Sequence, residues 1–292
     1  MRGARHLSSA AGPSCASRTR SLVKGALGAF VSLIAPSECR LCGDRLLQYV
    51  DYPVCDRCLA GLSPLRQEMI CGRCSEPLAP DSLLYLERQD QRSCARCLEN
   101  PPRFVRATAF GLYDDLREAI HLLKFQGVHS LAKPLGDMLA HAILLQRAGA
   151  PSSLAVVPVP LYRGKRSHNQ SELLAKAALQ QVQRASPEWN LELRSDLLRR
   201  VRRTESQYLL SPHERSANLR HAFRAEPKVR GHDVLLVDDV YTTGTTAHEC
   251  TRTLLAAGAR SVRVATLARA GRDTATMWFP SIPPQPVTTP SF

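Results

Sequence analysis

The stretch Val234 to Thr246, VLLVDDVYTTGTT, constrains this chain more than any other part of its 292 residues. Four aliphatic residues in a row read as a strand buried on both faces, as in a parallel sheet. Parallel strands need crossover connections, usually helices, so the fold class is α/β. The run ends in two adjacent acids, Asp238 and Asp239, and then a loop of hydroxyls and glycine, Thr242, Thr243, Gly244, Thr245 and Thr246. A helical pattern opens directly after it. A loop entering a helix N-terminus offers free N–H groups and a positive dipole end to an anion. Two carboxylates beside that site would repel a bare phosphate. They suit the hydroxyls of a sugar carried on it, or a divalent cation nearby. A phosphate with an attached ribose accounts for all thirteen residues.

Other segments supply the rest of an α/β body. Arg106 to Tyr113 reads as a strand, after which Asp114 and Asp115 cap a helix. Leu116, Ile120, Leu123 and Leu131 carry its apolar spacing, with a break near Gly127. A second helix is expected from about Leu131 to Arg147. Leu154 to Pro160 is a short buried strand stopped by proline, and Asn169 to Arg184 an amphipathic helix. Behind the glycine loop, Ala247, Cys250, Leu254 and Ala257 share one helix face, Gly258 ends the helix, and Ser261 to Ala268 is a further strand. Strand, helix and strand at these lengths make a right-handed crossover unit.

Ten cysteines are present, and eight form four CxxC pairs: Cys39/Cys42, Cys55/Cys58, Cys71/Cys74 and Cys94/Cys97. A CxxC turn aims both sulfurs at one ion, and two such turns complete a tetrahedral zinc site. CRLCGDRL at Cys39 parallels CGRCSEPL at Cys71, and CDRCL at Cys55 parallels CARCL at Cys94. This repeat favours sequential pairing, one ion on each half, although spacing alone also permits an interleaved arrangement. Four thiolates leave no open coordination position, so the two zinc ions are structural. A disulfide framework fits repeated CxxC pairs poorly, and thioredoxin-like chemistry needs one pair near a βαβ unit. Cys15 and Cys250 stand alone, and Cys250 reads as core.

The formal net charge is +13. Eight thiolates and two zinc ions would lower it by four, to +9, so the chain stays basic. Between Arg194 and Arg230 ten Lys/Arg face four Asp/Glu, a surface that attracts pyrophosphate-bearing ligands or nucleic acid. No apolar run approaches the roughly 20 residues of a membrane span. Ala26 to Ala35 follows a basic segment, but no small-residue cleavage pattern follows it, and a helix is the expectation. The expected organisation is a disordered basic N-terminus over 1–20, a helix and cysteine module over 21–103, an α/β body over 104–273 beginning after Pro101-Pro102, and a disordered Pro/Thr tail over 274–292. A cytoplasmic setting fits the cysteine usage.

The stretch Val234 to Thr246 resembles the binding signature of type I phosphoribosyltransferases, whose ligand is phosphoribosyl pyrophosphate (PRPP). Tyr241 stands where that family usually has an aliphatic residue. Further segments resemble the ComF family, which joins a cysteine-rich zinc module, a double zinc ribbon, to a phosphoribosyltransferase-like domain. They are LLKFQG (Leu122 to Gly127), VVPVPL (Val156 to Leu161), NQSELLA (Asn169 to Ala175), RRTESQ (Arg202 to Gln207) and ERSANLRHAF (Glu214 to Phe223). With the cysteines, the resemblance covers about residues 30 to 270. Arg166-Ser167-His168-Asn169-Gln170 departs from it by a serine where the family has glycine, which restricts the backbone there.

The resemblance implies a division of labour. Thr242, Thr243, Gly244, Thr245 and Thr246 would hold the ribose 5-phosphate, with glycine allowing close approach of the backbone. Asp238 and Asp239 would accept hydrogen bonds from the ribose 2′- and 3′-hydroxyls and are the candidate catalytic residues. Mg²⁺ would bridge those hydroxyls and the pyrophosphate. Val159, Pro160, Leu161 and Arg163 match the pyrophosphate loop, and Lys165, Arg166 and Arg202 or Arg203 would neutralise the leaving group. His121, His168, His221 and His248 receive no role. Two functions follow: a phosphoribosyltransferase of unnamed acceptor, or a non-catalytic PRPP-binding module. The resemblance also implies work in DNA uptake, with single-stranded DNA or DNA-processing proteins as partners. Only 5% of residues are aromatic, which weakens binding of single strands by stacking.

Overall fold

The computed structural model describes residues 37–46, 51–78, 92–162, 168–202 and 219–271. The helix expected over Ala26 to Ala35, the basic N-terminus and the Pro/Thr tail lie outside them. The chain divides into two compact units, Met1–Gly61 and Leu62–Phe292. The first contains one short helix among its described residues, α1 (Asp56–Ala60). The second opens with the second cysteine segment and its helix α2 (Ala95–Glu99), then carries the α/β body.

The body is built on β1 (Ala107–Leu112), β2 (Ser153–Pro158), β3 (Asn190–Leu193), β6 (Asp233–Tyr241) and β7 (Ser261–Arg269). They form one parallel sheet in the order β1-β7-β6-β2-β3. Val234, Leu235, Leu236 and Val237 are fully buried, as a strand covered on both faces must be. Each such side chain contributes roughly 1.5–3 kcal/mol by leaving water. The covering helices are α3 (Tyr113–Phe125), α4 (Ala132–Leu144), α5 (Gln170–Ala185) and α6 (Thr245–Ala256). α4 and α5 cross closely at Gly136, where an added Cβ would meet Ala177 Cβ at 2.4 Å. Between β3 and β6 comes a short antiparallel hairpin, β4 (Leu198–Arg200) with β5 (Phe223–Ala225), whose Leu198 and Phe223 are buried in the core.

Two local expectations change. Asp114 and Asp115 do not cap α3; Leu112 holds the N-cap position, because β1 runs into the helix without an intervening turn. The acids lie in the first turn, where the helix dipole favours them. Leu131 is not part of that helix either. α3 ends at Phe125, Gly127 takes a left-handed φ of 67°, and Leu131 closes a short 3-10 turn before α4.

The strand order creates the place for a site. The connection from β2 runs through α5 outward to β3, while that from β6 runs through α6 the other way to β7. Adjacent β2 and β6 therefore splay their following loops apart. Such a switch point at the carboxyl ends of parallel strands opens a crevice for ligands.

Candidate functional site

Asp238 and Asp239 stand toward the carboxyl end of β6, Asp238 lining the crevice and Asp239 buried, and their environments differ. Asp239 is buried and pairs with Lys124, from the last turn of α3. Asp239 Oδ1 also accepts the Val240 N–H at 2.9 Å. Asp238 Oδ1 accepts the Ser171 hydroxyl at 2.9 Å and the Asp239 N–H at 3.0 Å. Burial of its carboxyl, reinforced by the charge of Asp239, pushes the Asp238 pKa up to about 7; Lys124 and Ser171 act the other way. One acid is thus paired with a cation, and the other, Asp238, is poised to gain or lose a proton near neutrality.

The loop after β6 turns at Gly244, the N-cap of α6, with φ of 81°. Any other residue would be strained there. The Tyr241 ring adds a second reason, because a Cβ on Gly244 would lie 2.3 Å from the tyrosine hydroxyl oxygen. Glycine is thus demanded here by the packing of Tyr241, before any phosphate is considered. The Thr243 and Thr245 hydroxyls lie 2.8 Å apart across the turn. Asp238, Thr242, Gly244 and Thr246 line a small crevice together with Val159.

The loop after β2 faces the same end. Pro158 pairs with Val237, and Val159 N–H donates to Val237 O at 2.8 Å. Asn169 caps α5, accepting from Ser171 N–H at 3.1 Å, while its amide donates to Val159 O at 3.0 Å. The NQS sequence therefore ties the β2 loop to Asp238 through the side chains of Asn169 and Ser171. Pro160 and Leu161 line a larger cleft of about 870 Å³, bounded also by His168, Arg199, Arg200, Arg224 and Lys228. Arg163, Lys165, Arg166 and Arg203 lie outside the described residues. Arg202 donates to Arg220 O at 2.9 Å. His248 packs on Phe104 at 5.3 Å between ring centroids, and burial lowers its pKa, so it belongs to the packing.

Lys124, Ser171 and Arg269 were absent from the residues expected at the site. Lys124 sits in the LLKFQG segment and Ser171 in NQSELLA, so their segments carried a signal, but nothing local showed that they meet Asp239 and Asp238. Arg269 ends β7, where nothing in the sequence marks it.

The cysteines form two groups, Cys39, Cys42, Cys55 and Cys58 in the first compact unit, and Cys71, Cys74, Cys94 and Cys97 in the second. Pairing is therefore sequential. Cys39 and Cys58 Sγ are 3.9 Å apart, Cys42 and Cys55 3.8 Å, and Cys74 and Cys94 3.6 Å. A tetrahedron with Zn–S of about 2.3 Å has edges of about 3.8 Å. In the second group, a hydrogen bond from Cys74 holds the Cys71 thiol well below its usual range, while Cys71 pushes Cys97 well above its own. The cluster cannot carry four charges unaided, and a divalent ion would relieve it. Both groups fit structural zinc. Purified protein should contain about two zinc ions per chain. Less than one by elemental analysis, under reducing conditions without chelator, would contradict this reading.

A parallel sheet with this switch-point loop, joined to paired Cys₄ clusters, defines a phosphoribosyltransferase-type fold with a zinc-binding module. Residues 169–277 match the phosphoribosyl transferase domain, and residues 30–100 match the double zinc ribbon domain. The chain is 34% identical over 245 residues to DNA utilization protein YhgH of Salmonella typhi, covering 81% of this chain and 99% of the relative. It is 32% identical over 244 residues to the protein of the same name from Escherichia coli K12, again covering 81% and 99%. Competence protein F of Haemophilus influenzae is 31% identical over 209 residues, 68% of this chain and 84% of that one. The chain belongs to the ComF family, the group of these DNA utilization and competence proteins.

Proposed function

We propose that this chain binds PRPP with Mg²⁺ at the carboxyl ends of β2 and β6, and serves the utilisation or uptake of DNA as its relatives' names describe. The observation that carries the reading is the pair Asp238 and Asp239 at the switch point, directly before a glycine turn and the N-terminus of a twelve-residue helix. Thr242 to Thr246 would take the 5-phosphate, and the two acids the ribose hydroxyls. The β2 loop at Val159, Pro160 and Leu161, with Arg163, Lys165 and Arg166, would take the pyrophosphate. Mg²⁺ would be held with the ligand beside Asp238 and Asp239 and would supply charge neutralisation for the leaving group. In transfer, the bond from the anomeric carbon to pyrophosphate breaks, the acceptor's lone pair bonds to that carbon, and the acceptor's proton leaves to solvent. Asp238 and Asp239 would offset the positive charge that develops on the sugar. The cleft beside the β4–β5 hairpin is where an acceptor would sit. A cytoplasmic setting, in which thiols stay reduced for zinc, goes with this reading.

Equilibrium dialysis tests the site. PRPP should bind once per chain with Mg²⁺, and ribose 5-phosphate should compete. Competition by pyrophosphate but not by ribose 5-phosphate would contradict the placement of sugar and phosphate.

The Asp238 carboxyl gives the binding a pH dependence. Its pKa is raised from 3.8 to about 7 in the folded chain. Between those values the folded state holds a proton that the unfolded state has lost. This group therefore lowers stability as pH rises through that window. The ligand favours the carboxylate, so PRPP affinity should rise with pH up to about 7 and then level. Calorimetry from pH 6 to 8 should show this component in the natural chain and not in Asp238→Asn, which separates it from titration of the ligand's own phosphate. An identical pH profile in both proteins would contradict it.

The basic hairpin favours a second, compatible activity. Arg199, Arg200 and Arg224 lie on its strands and Lys228 close by. Single-stranded DNA should bind there weakly, without sequence preference, and with affinity falling steeply as salt rises. No binding at low salt, or affinity insensitive to salt, would remove this activity.

A further inference from the structure

We propose that Arg269 is a positioning residue for the ligand loop, through which the second cysteine cluster braces that loop. This role rests on the reading of the loop as the PRPP phosphate site. Arg269 is 1% exposed, at the end of β7 beside Tyr241. Its guanidinium serves two parties at once. Toward the cysteine segment it donates to Cys74 O at 3.1 Å and pairs with Glu76, itself buried. Toward the loop it donates to Tyr241 O at 3.1 Å and Thr242 O at 2.8 Å, and it stacks on the Tyr241 ring at 4.6 Å from the centroid. A second arginine of the same segment, Arg96 on α2, donates to the next carbonyl, Thr243 O, at 3.2 Å.

The carbonyl that ends β6 and the next two carbonyls of the loop are thus held by arginines, the first of them also by the Ala270 N–H at 3.0 Å. No peptide bond here is cis. In a trans peptide the C=O and the following N–H point in opposite directions. Fixing the carbonyls of residues 241, 242 and 243 therefore turns the N–H groups of Thr242, Thr243 and Gly244 to the other side. Consecutive N–H groups turned one way form a concave anion site. The Tyr241 ring, pinned between Arg269 and Phe104, fills the space beneath Gly244. A buried ion pair is a poor source of stability compared with apolar packing, so stability alone gives little reason for Arg269 and Glu76 here.

The test compares Arg269→Met/Glu76→Gln, which strands neither charge, with Arg96→Ala, whose side chain is exposed. PRPP·Mg²⁺ affinity is measured by calorimetry beside the melting temperature, and zinc release to a colorimetric chelator is followed with and without PRPP. The double variant should melt cooperatively, keep two zinc ions and bind PRPP about tenfold or more weakly; Arg96→Ala should bind several-fold more weakly with unchanged melting. Coupling is reciprocal, so saturating PRPP should slow release of half the zinc from the natural chain and not from the double variant. Unchanged PRPP affinity in Arg96→Ala and in the double variant overturns the brace. If the double variant does not fold, Arg96→Ala decides alone, and unchanged affinity there overturns it. Failure of the natural chain to bind PRPP at all refutes the site itself, a different result from equal binding by all three proteins.

Discussion

Changing Cys74 to serine will unfold the α/β body, whereas changing Cys55 to serine will leave that body folded. The clusters look alike in sequence, but they belong to different compact units. Cys71, Cys74, Cys94 and Cys97 are buried in one core with Leu236, Val264 and Tyr241 of the sheet. The same segment is stitched to the start of β1: Ser75 Oγ donates to Ala107 O at 3.0 Å, and Ala107 N–H to Arg73 O at 2.7 Å. A structural zinc site contributes on the order of 10–16 kcal/mol, as much as the whole stability of an ordinary domain. Loss of one thiolate from the second cluster should therefore lower the main thermal transition by tens of degrees or abolish it. Loss of Cys55 should remove one zinc ion and the order of the first unit while the main transition persists. Circular dichroism melting with zinc analysis checks both, and a Cys74→Ser protein with the natural transition would contradict the merged core.

Changing Asp238 and Asp239 together to asparagine should weaken PRPP binding by about a hundredfold or more, at about 1.5–3 kcal/mol for each charge-assisted hydrogen bond lost. The two positions will differ in stability. Asp238 has a raised pKa and accepts bonds that an amide oxygen also accepts, so Asp238→Asn alone should fold as well as the natural chain. Asp239→Asn leaves the largely buried Lys124 ammonium facing a neutral amide and should cost stability as well as affinity. Binding must therefore be measured below each variant's own melting range, with Asp238→Asn as the clean comparison.

The sheet and the loop were legible because they depend on local pattern. A four-residue aliphatic run, two acids and a glycine turn carry their meaning within thirteen residues. The cysteine groups were legible for the same reason, since CxxC spacing and an internal repeat identify the ligands and suggest their pairing. What was not legible depends on contacts across the fold. Lys124 meets Asp239 only because α3 returns across the sheet from β1. Arg269 and Glu76 are 193 positions apart and meet where a cysteine turn docks on β7. The β4–β5 hairpin was missed because its strands are three residues long and rich in arginine, too short and too polar for an alternating pattern. Gly244 was assigned to phosphate approach alone, whereas its left-handed backbone and the Tyr241 ring already require it.

The central claim is that Asp238 and Asp239, with the loop from Thr242 to Thr246, hold a ribose phosphate. The most direct test is a calorimetric titration of PRPP with Mg²⁺ into the natural chain, Asp238→Asn, and the Asp238→Asn/Asp239→Asn protein, each shown folded by its melting curve. The account predicts one site per chain in the natural protein, weaker binding in the single variant, and a further loss to about a hundredfold or beyond in the double variant. Undiminished binding of PRPP by the folded double variant would place the ligand elsewhere and contradict the account.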